Sequence, residues 1–247
     1  MLSKPKNKLL QSLKMKKFRD EEGLFVAEGH KIADEVLSSE YKVHWIAGTA
    51  DWIEQNETRI TQLEVVEVGE EELQKISFLN HPQQVLMVLH KPELQSLQEK
   101  PAGPVLMLDG VQDPGNLGTI LRLCDWFGIP TLVASPDTAD VYNPKVIQAS
   151  MGSFLRIRNY NEELPELIHR LKIKTLYGTF MSGNNLYDTN FENDAWIVLG
   201  NEGNGISEEL SQLIPYRITI PAHPSSRAES LNVSIAAAIT LAAFRRK

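Results

Sequence analysis

A single cysteine, Cys124, rules out an intramolecular disulfide and leaves no cysteine set for zinc. It falls in the apolar pattern Ile120, Leu121, Leu123, Cys124, Phe127, the setting of a small core residue rather than of a nucleophile. Long hydrophobic runs are also missing. The most apolar stretch, Ile235 to Phe244, is shorter than the roughly 20 residues of a membrane span and ends in Arg245-Arg246-Lys247. The N-terminal lysines are not followed by the apolar core of a signal peptide, so the cytoplasm is the expected location and no membrane partner is expected. Positive charge is not in excess. The net charge of −7 argues against a uniformly basic nucleic-acid binder. Phosphate fingerprints are absent too: Gly200, Gly203 and Gly205 reverse the Gly-x-Gly-x-x-Gly spacing, and there is no Walker loop. That weakens a dehydrogenase or NTPase reading of a nucleotide-binding domain.

What is present is an ordinary globular composition, 42% apolar and 23% charged over 247 residues, ample for a buried core. Short strand patterns at 24–27, 43–46, 63–68 and 85–89 alternate with helical patterns at 31–37, 50–57 and 70–76, which predicts a small α/β unit over 1–92. A polar stretch with Pro92, Pro101 and Gly103 reads as a linker over 93–103. The remainder, 104–247, alternates strands at 105–108, 131–134, 154–157, 175–179, 195–199 and 218–220 with helices at 116–127, 144–150, 162–171, 207–213 and 230–245. This predicts a largely parallel sheet covered on both faces.

Two segments of that domain place glycines and short polar side chains where an apolar run ends. Asp113-Pro-Gly-Asn-Leu-Gly-Thr-Ile-Leu-Arg122 follows Val105–Leu108, and Gly200-Asn-Glu-Gly-Asn-Gly205 follows Trp196–Leu199. In α/β folds ligands sit outside the carboxyl ends of the strands, so two such loops imply one shared site. A third segment, Ser230-Leu-Asn-Val-Ser234, follows Ile218-Thr-Ile220 and a polar loop. The carboxylate of Glu202 between glycines is a poor core group; its alternative reading is a cap on the helix starting near Ser207.

Taken in order, Asn116-x-Gly118-x-Ile120-x-Arg122, Gly200–Gly205 and Ser230–Ser234 resemble the signature motifs of the SpoU (TrmH) family of RNA ribose 2′-O-methyltransferases, within the SPOUT superfamily. The resemblance implies an S-adenosylmethionine donor, an RNA acceptor (ribosomal rather than transfer RNA), a homodimer with the site near the subunit interface, and a C-terminal trefoil knot. It carries catalytic roles onto Asn116, Arg122, Glu202, Ser230 and Asn232. Donor contacts fall on Gly200, Ile220 and Leu231, with Leu199 and Thr179 nearby. No metal is required, because methyl transfer converts a cationic sulfonium into a neutral thioether. Arg122, whose guanidinium offers only donors, is expected to clamp a phosphate beside the target ribose or to stabilise the nascent alkoxide. The loop 222–229 departs from the family pattern in length and glycine content, and His223 within it is read as incidental. A catalytically inactive RNA-binding protein on the same fold and a transfer-RNA enzyme are the rival readings.

The first unit resembles the small substrate domain that precedes such catalytic domains, through Phe25-Val-Ala-Glu-Gly29; the same residues read equally as a strand ending at a turn glycine. The cationic run Lys4, Lys6, Lys8, Lys14, Lys16, Lys17, Arg19 has two readings of equal weight: phosphate contacts, or the solvated face of a terminal helix.

Overall fold

The computed structural model describes residues 1–93 and 96–246, which form two compact units: Met1–Glu93 together with Asp140–Leu155, and the rest of the described chain. The first unit opens with α1 (Lys4–Ser12), capped by the Ser3 side chain and with Pro5 in its first turn, then α2 (Lys16–Glu22), closed by left-handed Gly23. There follow β1 (Leu24–Glu28), α3 (His30–Leu37), β2 (Val43–Gly48), α4 (Ala50–Ile60), β3 (Val65–Glu67), α5 (Glu70–Ile76) and β4 (Val85–His90). The sheet order is β1-β4-β2-β3; β4 runs antiparallel to both neighbours and β3 is parallel to β2. Gly29, at φ 97°, turns the chain from β1 directly into α3, so the turn-glycine reading of this segment describes its backbone.

In the second unit, β5 (Val105–Leu108), α6 (Pro114–Trp126) and β6 (Thr131–Ala134) come first. Next, α7 (Pro144–Ser150) belongs to the first unit, after which β7 (Arg158–Asn161), α8 (Leu164–Leu171), β8 (Leu176–Asn185), β9 (Trp196–Leu199), α9 (Glu208–Leu213), β10 (Tyr216–Thr219) and α10 (Val233–Arg245) complete the second. The sheet is parallel throughout, in the order β10-β8-β9-β5-β6-β7. Val105, Met107, Trp196 and Val198 face a core shared with α8 and α9. Leu106, Leu108, Ile197 and Leu199 on the alternate face are equally buried. Both faces being covered is why these strands read as unbroken apolar runs. Cys124 is fully buried in α6, and burial pushes its thiol pKa far up.

Three sequence expectations differ from the structure. Residues 140–155, assigned to the second domain, pack with the first unit. There Phe25 is ringed by Tyr41, Tyr142 and Phe154, with centroids 4.8–6.2 Å away. For the same reason the strand predicted at 154–157 does not form. Met151 and Gly152 adopt left-handed conformations, Ser153–Leu155 makes a 3₁₀ turn around buried Phe154, and the strand starts at Arg158. Of the predicted linker 93–103, residues 94 and 95 lie outside the described residues. The remainder forms no helix or strand, yet Leu97 enters the second unit's core, its amide bonded to Glu162 (2.7 Å) and its carbonyl to Arg170 (2.7 Å).

Within the cationic run, three residues have acidic partners. Arg19 is 1% exposed: its guanidinium donates to Asp140 Oδ2 at 2.7 and 2.9 Å and to the Leu13 and Lys14 carbonyls. Lys6 pairs with Glu64, and Lys17 with Glu21. Arg19 is therefore removed from any RNA-contacting set. Breaking one partner of a buried, hydrogen-bonded pair leaves the other charge uncompensated, so Arg19→Met is expected to destabilise the chain by about 3–5 kcal/mol in denaturant unfolding. A loss below about 1 kcal/mol would show that the pair is not holding 140–155 in place.

Candidate active site at the carboxyl edge of the parallel sheet

Four adjacent parallel strands, β10-β8-β9-β5, end on one edge, and each delivers a residue singled out from the sequence or the loop that carries one. Thr179 lies in β8, Leu199 closes β9, Ile220 follows β10, and the loop after β5 leads into α6 and Asn116.

That loop is organised by Asp113, whose side chain caps α6 by accepting from the Asn116 amide at 2.8 Å, with Pro114 in the first helical position. Cap and proline together fix where the first turn of α6 starts, and hence where Asn116 points. The Asn116 side chain then uses both ends. Its Nδ2 donates to Glu202 Oε1 at 3.0 Å, and its Oδ1 accepts from Asn232 Nδ2 at 3.0 Å. Asn232 in turn caps α10, accepting from the Ser234 and Ile235 amides. One residue from each of the three motifs thus joins a continuous chain, Glu202–Asn116–Asn232. The Glu202 carboxylate also receives the amides of Gln112 and Asp113 at 3.4 Å each. It does not cap α9: the Ser207 amide donates instead to Asp109 Oδ2 at 2.7 Å.

The loop bearing Glu202 is a small closed ring. Asn201 and Gly205 exchange both backbone hydrogen bonds (2.9 and 3.0 Å), and the Asn201 Oδ1 accepts from the Gly203 and Asn204 amides. Its Nδ2 reaches the Gly110 carbonyl at 2.6 Å, tying the loop to the end of β5. Gly205 sits at φ 71°. A Cβ on Gly200 would stand 2.2 Å from both Gly205 C and Ile206 N, so this position admits glycine alone. Asn201 and Asp109 were not singled out as site residues; the signal for Asn201 is its place inside the glycine motif, and for Asp109 that it directly follows a fully buried strand.

Not every expected site residue enters this cluster. Arg122 is exposed on α6, six residues beyond Asn116 and so about 9 Å further along the helix axis. It has no hydrogen bond or ion pair among the described residues. Ser230 and Leu231 are exposed in the segment before α10, which begins at Val233 rather than at 230. Thr179 donates its hydroxyl to the Val198 carbonyl at 3.2 Å, Leu199 is 1% exposed, and Ile220 is half-buried. Leu199 therefore presents only backbone to the edge, and its carbonyl already accepts from the Asp109 amide.

Residues 103–242 match the model of the SpoU rRNA Methylase family, and residues 4–87 match an MRM3-like substrate binding domain. The chain is 32% identical to the 23S rRNA (guanosine(2553)-2′-O)-methyltransferase RlmP of Bacillus subtilis, over 93% of this chain and 91% of that protein. A putative RNA methyltransferase of the TrmH family from Porphyromonas gingivalis superposes with a TM-score of 0.86 at 39% identity, covering 100% of this chain and 99% of that one. An AdoMet-bound rRNA methyltransferase from Sinorhizobium meliloti gives 0.89 at 27% identity, covering 100% and 96%.

Proposed function

Since the chain belongs to the SpoU rRNA methylase family, we propose that it transfers the methyl group of S-adenosylmethionine to a ribose 2′-hydroxyl of ribosomal RNA, in the cytoplasm. The observation that carries this reading is the Glu202–Asn116–Asn232 chain, which joins all three motifs at the carboxyl edge of one sheet. The ribosomal assignment follows the Bacillus relative, which spans nearly the whole chain and is named for 23S rRNA.

When bound, S-adenosylmethionine supplies an electrophilic methyl on a cationic sulfur. The chain's part is to hold that methyl in line with the acceptor oxygen and to exclude water. The Gly200–Gly205 ring offers backbone donors and acceptors for the adenine edge, with Ile220, Leu231 and Thr179 around it. The site fits a donor read largely through backbone, because Leu199 is buried and glycines stand at 200, 203 and 205, so this edge presents few side chains. Asn116, Asn232, Ser230 and Glu202 supply hydrogen bonds around the ribose. Arg122 clamps the neighbouring phosphate or stabilises the developing alkoxide.

Arg122 stands apart from the cluster within its own chain, which supports completion of the acceptor side in a homodimer. The α6–α10 surface that carries it also exposes Trp126 (83%) and Ile235 (52%), apolar side chains suited to burial against a second copy. The trefoil knot belongs to the same reading: β10 lies beside β8, while the chain after it returns so that α10 packs on α6 and on the turn 186–188.

Donor binding is the first check. Titration calorimetry with S-adenosylmethionine or its demethylated product, with chelator present, is expected to show one site per chain. A folded sample that binds neither would remove the enzymatic reading.

A further inference from the structure

Within the first unit, β1, the turn after α5 and one face of α7 enclose a cavity of about 290 Å³ that the methyl-transfer site does not use. Its walls are apolar, from Val26, Phe78, Leu79 and Ile147. Glu28, 6% exposed, also lines it. The Glu28 carboxylate accepts from the Ser77 hydroxyl on one oxygen and from the Phe78 amide (2.8 Å) on the other, so each oxygen retains further acceptor capacity. Burial pushes its pKa upward, against the opposing hydrogen bonds from Ser77 and Phe78 and the charge of Lys14. The side-chain amide of half-buried Gln148 also lines the cavity and has no hydrogen-bond partner among the described residues. Two cations stand close by: Lys145, exposed on the cavity wall, and Lys14, its ammonium 4.8 Å from the Phe78 ring centroid.

We propose that this cavity receives one unstacked guanine base of the RNA substrate, with Glu28 reading its Watson–Crick edge and Lys14 and Lys145 holding the adjacent phosphates. The proposal rests on the RNA-methyltransferase reading and names a recognition point for its substrate. A carboxylate only accepts, so it suits an edge that presents neighbouring donors. Guanine offers N1–H beside the N2 amino group. Adenine and cytosine set an amino group beside a ring-nitrogen acceptor, and uracil sets its N–H between two carbonyls. Gln148 carries the complementary donor for the guanine O6. Apolar walls with an aromatic ring are the usual environment for a base splayed out of single-stranded RNA.

The test uses the full chain and three fluorescein-labelled heptamers, UUUGUUU, UUUIUUU with central inosine, and UUUAUUU, followed by fluorescence anisotropy. Guanosine is expected to bind about tenfold or more tighter than adenosine, a step typical of a matched bidentate contact. Inosine, lacking the N2 amino group, should fall between them. Glu28→Gln should erase the preference. Because Glu28 also holds the Ser77–Phe78 turn, Gln148→Ala and Lys145→Ala provide variants outside that contact. The first should weaken guanosine and inosine binding alike, both bases carrying O6, and leave adenosine binding unchanged. The second should weaken all three heptamers alike and reduce the log–log salt slope by about 0.7. Equal binding of the three heptamers by the unaltered chain, or no binding of any, overturns the proposal. So does displacement by free guanosine monophosphate as effective as by the guanosine heptamer, which would assign the cavity to a nucleotide. S-adenosylmethionine binding by the same sample separates failure of the cavity assignment from failure of the methyltransferase reading.

Discussion

Replacing Arg122 with alanine is expected to lower single-turnover methyl transfer by about 10²–10³-fold, the usual consequence of removing one group that stabilises charge in the transition state. Donor affinity is expected to stay within about twofold of the unaltered chain. The split follows from position: Arg122 is exposed, has no hydrogen bond or ion pair among the described residues, and lies about 9 Å along the α6 axis from Asn116. The melting temperature should therefore not move. Arg122→Lys keeps the charge but not the planar fork, and is expected to recover only part of the rate. Full turnover by Arg122→Ala would show that the first motif has been given the wrong role.

Gly200→Ala is expected to act oppositely, on donor binding and on the fold together. The added carbon would fall 2.2 Å from two backbone atoms of the Gly205–Ile206 peptide, and neither is the end of a flexible side chain. Relief requires opening the ring that Asn201 and Gly205 close, and with it the placement of Glu202 beside Asn116. Overpacking typically costs about 1–3 kcal/mol, which for a chain of this size lowers the melting temperature by roughly 2–12 °C. Donor affinity should fall at least about 100-fold. The resemblance puts a donor contact on this glycine; the structure adds a requirement of its own, the loop's backbone. An alanine variant that melts and binds donor normally would refute that account.

The sequence exposed the parts of this architecture that local chemistry controls. Val105–Leu108, Thr131–Ala134 and Trp196–Leu199 announced themselves because a parallel strand buried on both faces must be apolar throughout. The start of α6 was placed two residues late because Asp113 is the cap and Pro114 the first helical residue, and that of α10 three residues early because Asn232, not Ser230, is the cap. What tertiary packing decides was hidden. Arg19 looks like its neighbouring lysines until Asp140, 121 residues away, folds onto it. Phe154 sits in a β-like pattern, but its ring is claimed by Phe25 and Tyr41, so the segment leaves the strand it resembles. In the site, the motifs identified Asn116, Glu202 and Asn232 as residues to watch. No spacing rule foretells that one asparagine bridges the other two, or that Asn201 and Asp109 hold the frame.

The central claim, ribose methylation of ribosomal RNA, is tested most directly on the product. Ribosomal RNA from a strain lacking this protein is incubated with the purified chain and S-adenosylmethionine bearing a labelled methyl group, then digested to nucleosides and resolved by mass spectrometry. The account predicts label in a single 2′-O-methylated nucleoside, appearing about 10²–10³-fold more slowly with Arg122→Ala and absent when the RNA comes from the parent strain. Label on a base, or no transfer by a sample that binds the donor, would contradict it.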